Sequence, residues 1–190
     1  MKETIIVNLI GSPGTGKSTL MADVFAGLKW SGIDCEMVSE FAKKLVWSER
    51  KKTFTDELYI FAKQNHELFM VNGQVDVIVT DRPLILTVPY LRKYGDKKLK
   101  SYNDSLEKMV YNRFILYNNL NILLNRTKPY NPNGRNQTED ESKKLQIDFK
   151  NCLDEFNIEY TELDADVNAK YKIIEMIQHL INDKKNNTLL

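Results

Sequence analysis

The residues best suited to chemistry lie between positions 11 and 19, which read Gly11-Ser12-Pro13-Gly14-Thr15-Gly16-Lys17-Ser18-Thr19. The spacing Gly-x-x-x-x-Gly-Lys-Ser, set between an apolar strand-like run and a helical pattern, is that of a phosphate-binding P-loop. Gly11, Gly14 and Gly16 let the backbone curl until its N–H groups converge on phosphate oxygens, and the helix starting near Lys17 adds the positive end of its dipole. The expected nucleotide-binding set is Gly11, Ser12, Gly14, Thr15, Gly16, Lys17, Ser18 and Thr19, with ATP as ligand. Within it Lys17 reaches the β- and γ-phosphates, Ser18 holds Mg²⁺ and Thr19 lies on the α-phosphate side. The loop indicates a bound nucleotide and is silent on where the γ-phosphate goes.

Other residues bear on that question. Asp81 ends the run Val-Asp-Val-Ile-Val-Thr, and an acidic residue at the end of a buried strand beside the P-loop strand stands where Mg²⁺ and its waters lie. It is a single carboxylate, which favours transfer over hydrolysis; its alternative role is to cap the next turn. Glu40, just after the second expected strand, reads either as a group that accepts or holds an acceptor hydroxyl or as a helix-start glutamate favoured by the dipole. Arg82 is expected to bind the acceptor or to pair on the crevice rim, and Gln64 to read an amide or base edge. Arg126, Lys128 and Arg135 lie in a Pro/Asn/Gly-rich loop that reads as a basic lid, closing on the transferring group and excluding water, or else as a solvated basic loop. The catalytic set is thus Lys17, Glu40, Asp81, Arg126 and Arg135, with Arg126 also on the nucleotide; Glu40, Gln64 and Arg82 bind the acceptor, and Ser18 and Asp81 hold the metal.

These residues need a scaffold. Residues 4–10 read as a buried strand, 17–32 as an amphipathic helix stopped by Gly32, 34–39 as a second strand and 57–72 as a helix capped by Thr55-Asp56. A third strand is expected over 75–80, mostly helix over 84–112, a fourth strand over 118–125, a helix over 138–156 capped by Thr138 with Glu141, a fifth strand over 158–163 and a closing helix to Asp183. Strictly alternating strands and helices imply parallel pairing, helices on both faces and right-handed crossovers. The expectation is a three-layer α/β/α P-loop fold on a five-stranded parallel sheet: a single kinase domain over 1–184, a lid at about 126–138, and a frayed tail at 185–190.

The bulk numbers fit one such domain. The chain has 190 residues, 27 basic against 26 acidic, for a formal net charge of +1. That balance gives no global attraction to nucleic acid or membrane. Local clusters at 43–44, 50–52 and 97–100 read as solvated faces that would suit a polynucleotide only if they converged. The aromatic residues Trp47, Phe54, Tyr59 and Phe61 read as core more readily than as a stacking surface. His66 reads as a surface residue. Two cysteines, Cys35 and Cys152, have no metal-like spacing and suit a reducing compartment. No targeting or membrane-spanning segment is read, so the expected location is the cytoplasm, of the host if the protein is viral.

The set GSPGTGKST, SEFAKKL, a glutamine in the next helix, VIVTDRPL and NRTKPYNPNGRNQTEDES resembles the small P-loop kinase-like family typified by the ribosylnicotinamide kinase domain of bifunctional NAD-biosynthesis regulators. The resemblance spans roughly residues 4–180 and implies a nucleoside-kinase-like fold, ATP-Mg²⁺ as donor and a closing lid. Lys17, Ser18 and Asp81 match the family's phosphate and magnesium positions, and Glu40 falls near its acidic position after the second strand. Small stand-alone members are similar to bacteriophage proteins, some of which phosphorylate 5-hydroxymethyl-deoxyuridine within DNA. Asp81-Arg82-Pro83 is closer to the Asp-Arg of nucleoside and nucleotide kinases than to the riboside kinases.

Together these readings predict an ATP-dependent phosphotransferase acting on a nucleoside- or nucleotide-type hydroxyl or phosphate, as a monomer or homodimer. One alternative is a DNA kinase acting on hydroxymethylated uracil. Another, from a different class, is an ATPase switch or motor acting on a protein partner.

Overall fold

Five parallel strands in the order β2-β3-β1-β4-β5 form the centre of the protein in a computed structural model that describes residues 2–41, 56–133 and 137–188. The strands are β1 (Ile5–Ile10), β2 (Cys35–Val38), β3 (Val77–Thr80), β4 (Asn118–Asn125) and β5 (Thr161–Asp164). Six α-helices occur among the described residues: α1 (Lys17–Trp30), α2 (Glu57–Val71), α3 (Thr87–Tyr94), α4 (Lys100–Phe114), α5 (Glu139–Glu155) and α6 (Ala169–Thr188).

Strand position explains strand composition. β1 is central, is covered on both faces, and is buried at all six residues, so its sequence is a nearly continuous apolar run. Its side chains alternate between the faces. Ile5, Val7 and Leu9 join Leu20, Val24 and Leu28 of α1 and Ile173 and Ile177 of α6 in one core. Ile6 and Ile10 join a second core built with Phe61 and Leu68 of α2, Leu106 and Val110 of α4, and Leu145 and Phe149 of α5. Asn8 is the polar exception. It is buried, and its amide donates to Asn119 Oδ1 at 2.8 Å and Asn121 Oδ1 at 2.9 Å on β4, as a buried amide must.

The architecture expected from the sequence is the one observed; several boundaries differ. β5 starts at Thr161 rather than at 158, because residues 157–158 finish the preceding helix. Asn157 takes a positive φ of 51°, and the Ile158 N–H bonds back to the Leu153 carbonyl, a helix-ending arrangement that leaves this segment unavailable to a strand. α1 ends at Trp30 with Gly32 at φ +72° just beyond. The Thr138 capping box at the start of α5 is present in both directions. α6 runs on to Thr188, past Asp183 where the sequence pattern ended it. Phe61 lies in the core and His66 is exposed. Trp47, Phe54, the basic clusters at 43–44 and 50–52, Gly134 and Arg135 lie outside the described residues. Among the described residues no helix is long and apolar enough to cross a membrane.

Candidate active site

The site lies at the C-terminal ends of β1, β2, β3 and β4, the crevice side of a parallel sheet. From β1 the chain enters the loop Gly11–Gly16. Gly14 and Gly16 have φ of +92° and +102°, values that side-chain-bearing residues adopt only under strain. Gly16 caps α1 without any side-chain hydrogen bond, and Leu20 N–H to Gly16 O is the first bond of the helix. The N–H groups of the first turn therefore have no partner within the helix, while Ser18 and Thr19 are exposed. This is an anion-binding geometry. The Lys17 ammonium arches back over the loop to the carbonyls of Gly11 at 2.7 Å and Ser12 at 3.2 Å.

The segment after β4 covers this loop. The Tyr130 ring packs so closely over Gly14 that a Cβ there would stand 2.9 Å from it, and the Tyr130 hydroxyl donates to the Gln137 carbonyl. Arg126 lies over the Tyr130 ring at 5.3 Å and donates through Nη2 to Glu139 at 2.8 Å. Its Nη1 is buried and has no hydrogen-bond partner among the described residues. That nitrogen sits 3.8 Å from where a Gly14 Cβ would be. A buried cationic donor left unpaired beside a phosphate loop is stabilised by an anion, so these residues fit a nucleotide phosphate.

Asp81, at the end of β3, joins two halves of the site. Its Oδ2 accepts from the Ser18 hydroxyl at 2.6 Å and its Oδ1 accepts from the Glu40 N–H at 2.8 Å. Among the described residues no cluster of three or more histidine, cysteine or acidic side chains could enclose a metal. Ser18 and Asp81, the pair adjoining here among the described residues, would suit Mg²⁺, an ion that keeps several waters and takes substrate phosphate oxygens as ligands.

On the other side of Asp81 stands a charged cluster. The Arg82 side chain is only 6% exposed and lies 3.6 Å from both Glu40 and Glu57. Its guanidinium stacks on the Tyr90 ring at 4.2 Å. Glu57, in the first turn of α2, is 4% exposed, and its Oε2 lacks a hydrogen-bond partner among the described residues. Burial pushes the Glu57 carboxyl up from the ordinary glutamate range, with Arg82 pulling it back. Gln64 is buried, accepts from the Phe41 N–H at 3.1 Å and donates to Thr80 Oγ1 at 3.4 Å. Among the described residues, one of its amide N–H groups and one carbonyl lone pair remain uncommitted. Phe41 and Tyr59 meet edge-on at 5.6 Å beside this cluster.

The structure thus brings together Lys17, Ser18, Asp81 and Arg126 around the loop, and Glu40, Gln64 and Arg82 beyond Asp81. Ser12 faces inward: its N–H, hydroxyl and carbonyl all bond to protein groups. Glu57, Ser142 and Gln146 touch these residues in the structure and are not singled out by the sequence. Glu57 gave no signal, since a glutamate after an N-cap is what any helix start favours. Ser142 did give one: it continues the buried face Leu145, Phe149, Cys152 of α5.

Strand order, glycine loop and the single strand-end aspartate define a fold of the P-loop nucleoside-kinase type. The sequence profile of the AAA-domain family matches residues 6–170, and the chain belongs to that family. No curated protein matches the chain. Among solved structures it is similar to NadR in complex with NR, with TM-score 0.64, 18% identity, and coverage of 91% of this chain and 51% of NadR. It therefore spans about half the length of that protein. It is also similar to deoxyadenosine kinase from M. mycoides with bound dATP, with TM-score 0.56, 20% identity and 93% and 99% coverage. The same kinase with dCMP and dCDP bound gives TM-score 0.57, 18% identity and 94% and 99% coverage.

Proposed function

We propose that the protein is an ATP-dependent kinase that phosphorylates a hydroxyl of a nucleoside-type acceptor. The observation that carries this reading is the Arg82 guanidinium held between Glu40 and Glu57 at 3.6 Å from each. Among the described residues one cation flanked by two carboxylates leaves this cluster net negative, so a phosphate docking on Arg82 would meet repulsion from it that a neutral sugar does not. Asp81 and the likeness to nucleoside kinases support the same assignment.

In this reading ATP lies along Gly11–Thr19, with Lys17 and Arg126 on the oxygens of the transferring group and Arg135 as a further lid cation. Ser18 and Asp81 would hold Mg²⁺, which would supply charge neutralisation to the phosphates. Glu40 takes the proton of the acceptor hydroxyl as its oxygen bonds to the γ-phosphorus, and ADP leaves with the electrons of the broken P–O bond. Gln64 presents its uncommitted N–H and lone pair to the edge of a base, and Arg82 fixes Glu40.

The test is transfer from γ-labelled ATP to free nucleosides, nucleoside monophosphates, plain DNA and hydroxymethylated DNA. Label should appear on free nucleosides. Label confined to monophosphates or DNA, or ATP hydrolysis as fast without acceptor as with one, would refute the assignment. Lys17→Ala should abolish transfer.

A further inference from the structure

We infer that Ser142 and Gln146 of α5 are positioning residues for the nucleotide, acting through the phosphate loop; this rests on the reading that ATP binds there. The Ser142 side chain is fully buried. Its hydroxyl is 2.7 Å from the Pro13 carbonyl and 3.0 Å from Ser12 Oγ. One turn on, Gln146 accepts from the Ser12 N–H at 2.8 Å and donates to the Leu124 carbonyl at 3.0 Å. The amide therefore bridges the end of β4 to the start of the loop.

The three residues Glu139, Ser142 and Gln146 follow i, i+3, i+7 spacing and share one face of α5. Glu139 holds Arg126, whose buried Nη1 has no partner among the described residues, while Ser142 and Gln146 hold Ser12 and Pro13. A single rigid helix face thus sets the lid arginine and the glycine loop in one frame. Ser12 and Pro13 are also the residues from which the chain turns into Gly14 at φ +92°, and the Ser12 carbonyl receives the Thr15 hydroxyl at 2.7 Å and Lys17 at 3.2 Å. Where residues 12 and 13 sit therefore decides where the N–H groups of residues 14–18 aim. The contacts lie on the donor half of the site and touch neither Glu40, Gln64 nor Arg82.

The experiment uses Ser142→Ala and Gln146→Met, which keep volume close to native, in the full chain. ATP affinity is measured calorimetrically without acceptor, nucleoside KM is measured at saturating ATP, and thermal unfolding is recorded for each. Loss of buried hydrogen bonds that shape the loop should weaken ATP binding about tenfold, leaving nucleoside KM within twofold of wild type. Wild-type ATP affinity in both variants overturns the inference while leaving the kinase reading intact. Parallel losses in ATP affinity and nucleoside KM, tracking a lowered melting temperature, also overturn it, because a purely structural role predicts that pattern. If the wild-type protein itself binds no ATP, the donor reading fails and takes this inference with it.

Discussion

Replacing Glu57 by Gln should change which acceptor is used rather than whether transfer occurs. Glu57 is nearly isosteric with glutamine, is almost wholly buried, and among the described residues pairs with Arg82 alone, at 3.6 Å. A phosphate docked on the far side of that guanidinium would stand roughly 6 Å from the Glu57 carboxylate, where two unit charges repel by about 3 kcal/mol at an effective dielectric constant of about 20. A neutral hydroxyl pays no such penalty. The substitution removes the repulsion for the phosphate only, so the ratio of kcat/KM for a nucleoside over its 5′-monophosphate should fall about 100-fold. The assay is initial-rate transfer from ATP to matched nucleoside and monophosphate pairs, wild type against Glu57→Gln, at pH 7.5 and constant ionic strength. A ratio within twofold of wild type would show that the buried carboxylate does not set acceptor charge, and the argument from the Glu40–Arg82–Glu57 cluster would fall.

Other outcomes follow from the same geometry. Burial holds the Glu57 carboxyl above its ordinary value of 4.5, so the folded state binds that proton more tightly than the unfolded chain does. Its contribution to stability is then complete below about pH 4.5 and is lost as pH rises through the raised value; the difference in denaturation midpoint between wild type and Glu57→Gln should show this slope, and a flat difference would contradict it. Gly14→Ala should destabilise the protein by about 1–3 kcal/mol in chemical denaturation, because φ is +92° and the new methyl meets the Tyr130 ring. Both cysteines are buried, and burial pushes the Cys152 thiol up to about 12. Neither should react with iodoacetamide in the native state at pH 8, as read by mass spectrometry, and labelling should appear only on unfolding. Arg92, which pairs with Glu107 and Glu155 to tie α3 to α4 and α5, is partly exposed, so Arg92→Ala should cost only about 1 kcal/mol in the same denaturation assay.

The residues whose positions are legible in the sequence are those whose expected chemistry fixes a spacing. The phosphate loop is local, so its geometry is written in consecutive residues. Asp81 and Glu40 could be placed because strand ends can be located from buried runs, and every such end in a parallel sheet faces the same crevice. Residues whose role depends on a distant neighbour were not legible. Glu57 looks like an ordinary first-turn acid until the sheet brings Arg82 beneath it. Gln146 looks like a solvated helix residue until α5 is laid against a loop more than 130 positions away. The start of β5 was misplaced for a similar reason: Ile158 and Tyr160 carry a strand-like pattern, but the backbone at Asn157 and Ile158 is occupied in ending α5.

Asp81 deserves a last consideration as a shared acceptor. One of its oxygens holds the Ser18 hydroxyl and the other holds the Glu40 N–H, so the two bonds draw on the same negative charge. A cation held at the Ser18 side would withdraw charge from Asp81 and so would weaken its hold on the backbone that carries Glu40. By reciprocity, an acceptor bound at Glu40 would change the affinity of a cation at Ser18 by the same factor as the cation changes that of the acceptor. On the proposed reading the two substrates would be coupled through this single carboxylate, and the sign of that coupling would be read from whether saturating one tightens or loosens the binding of the other.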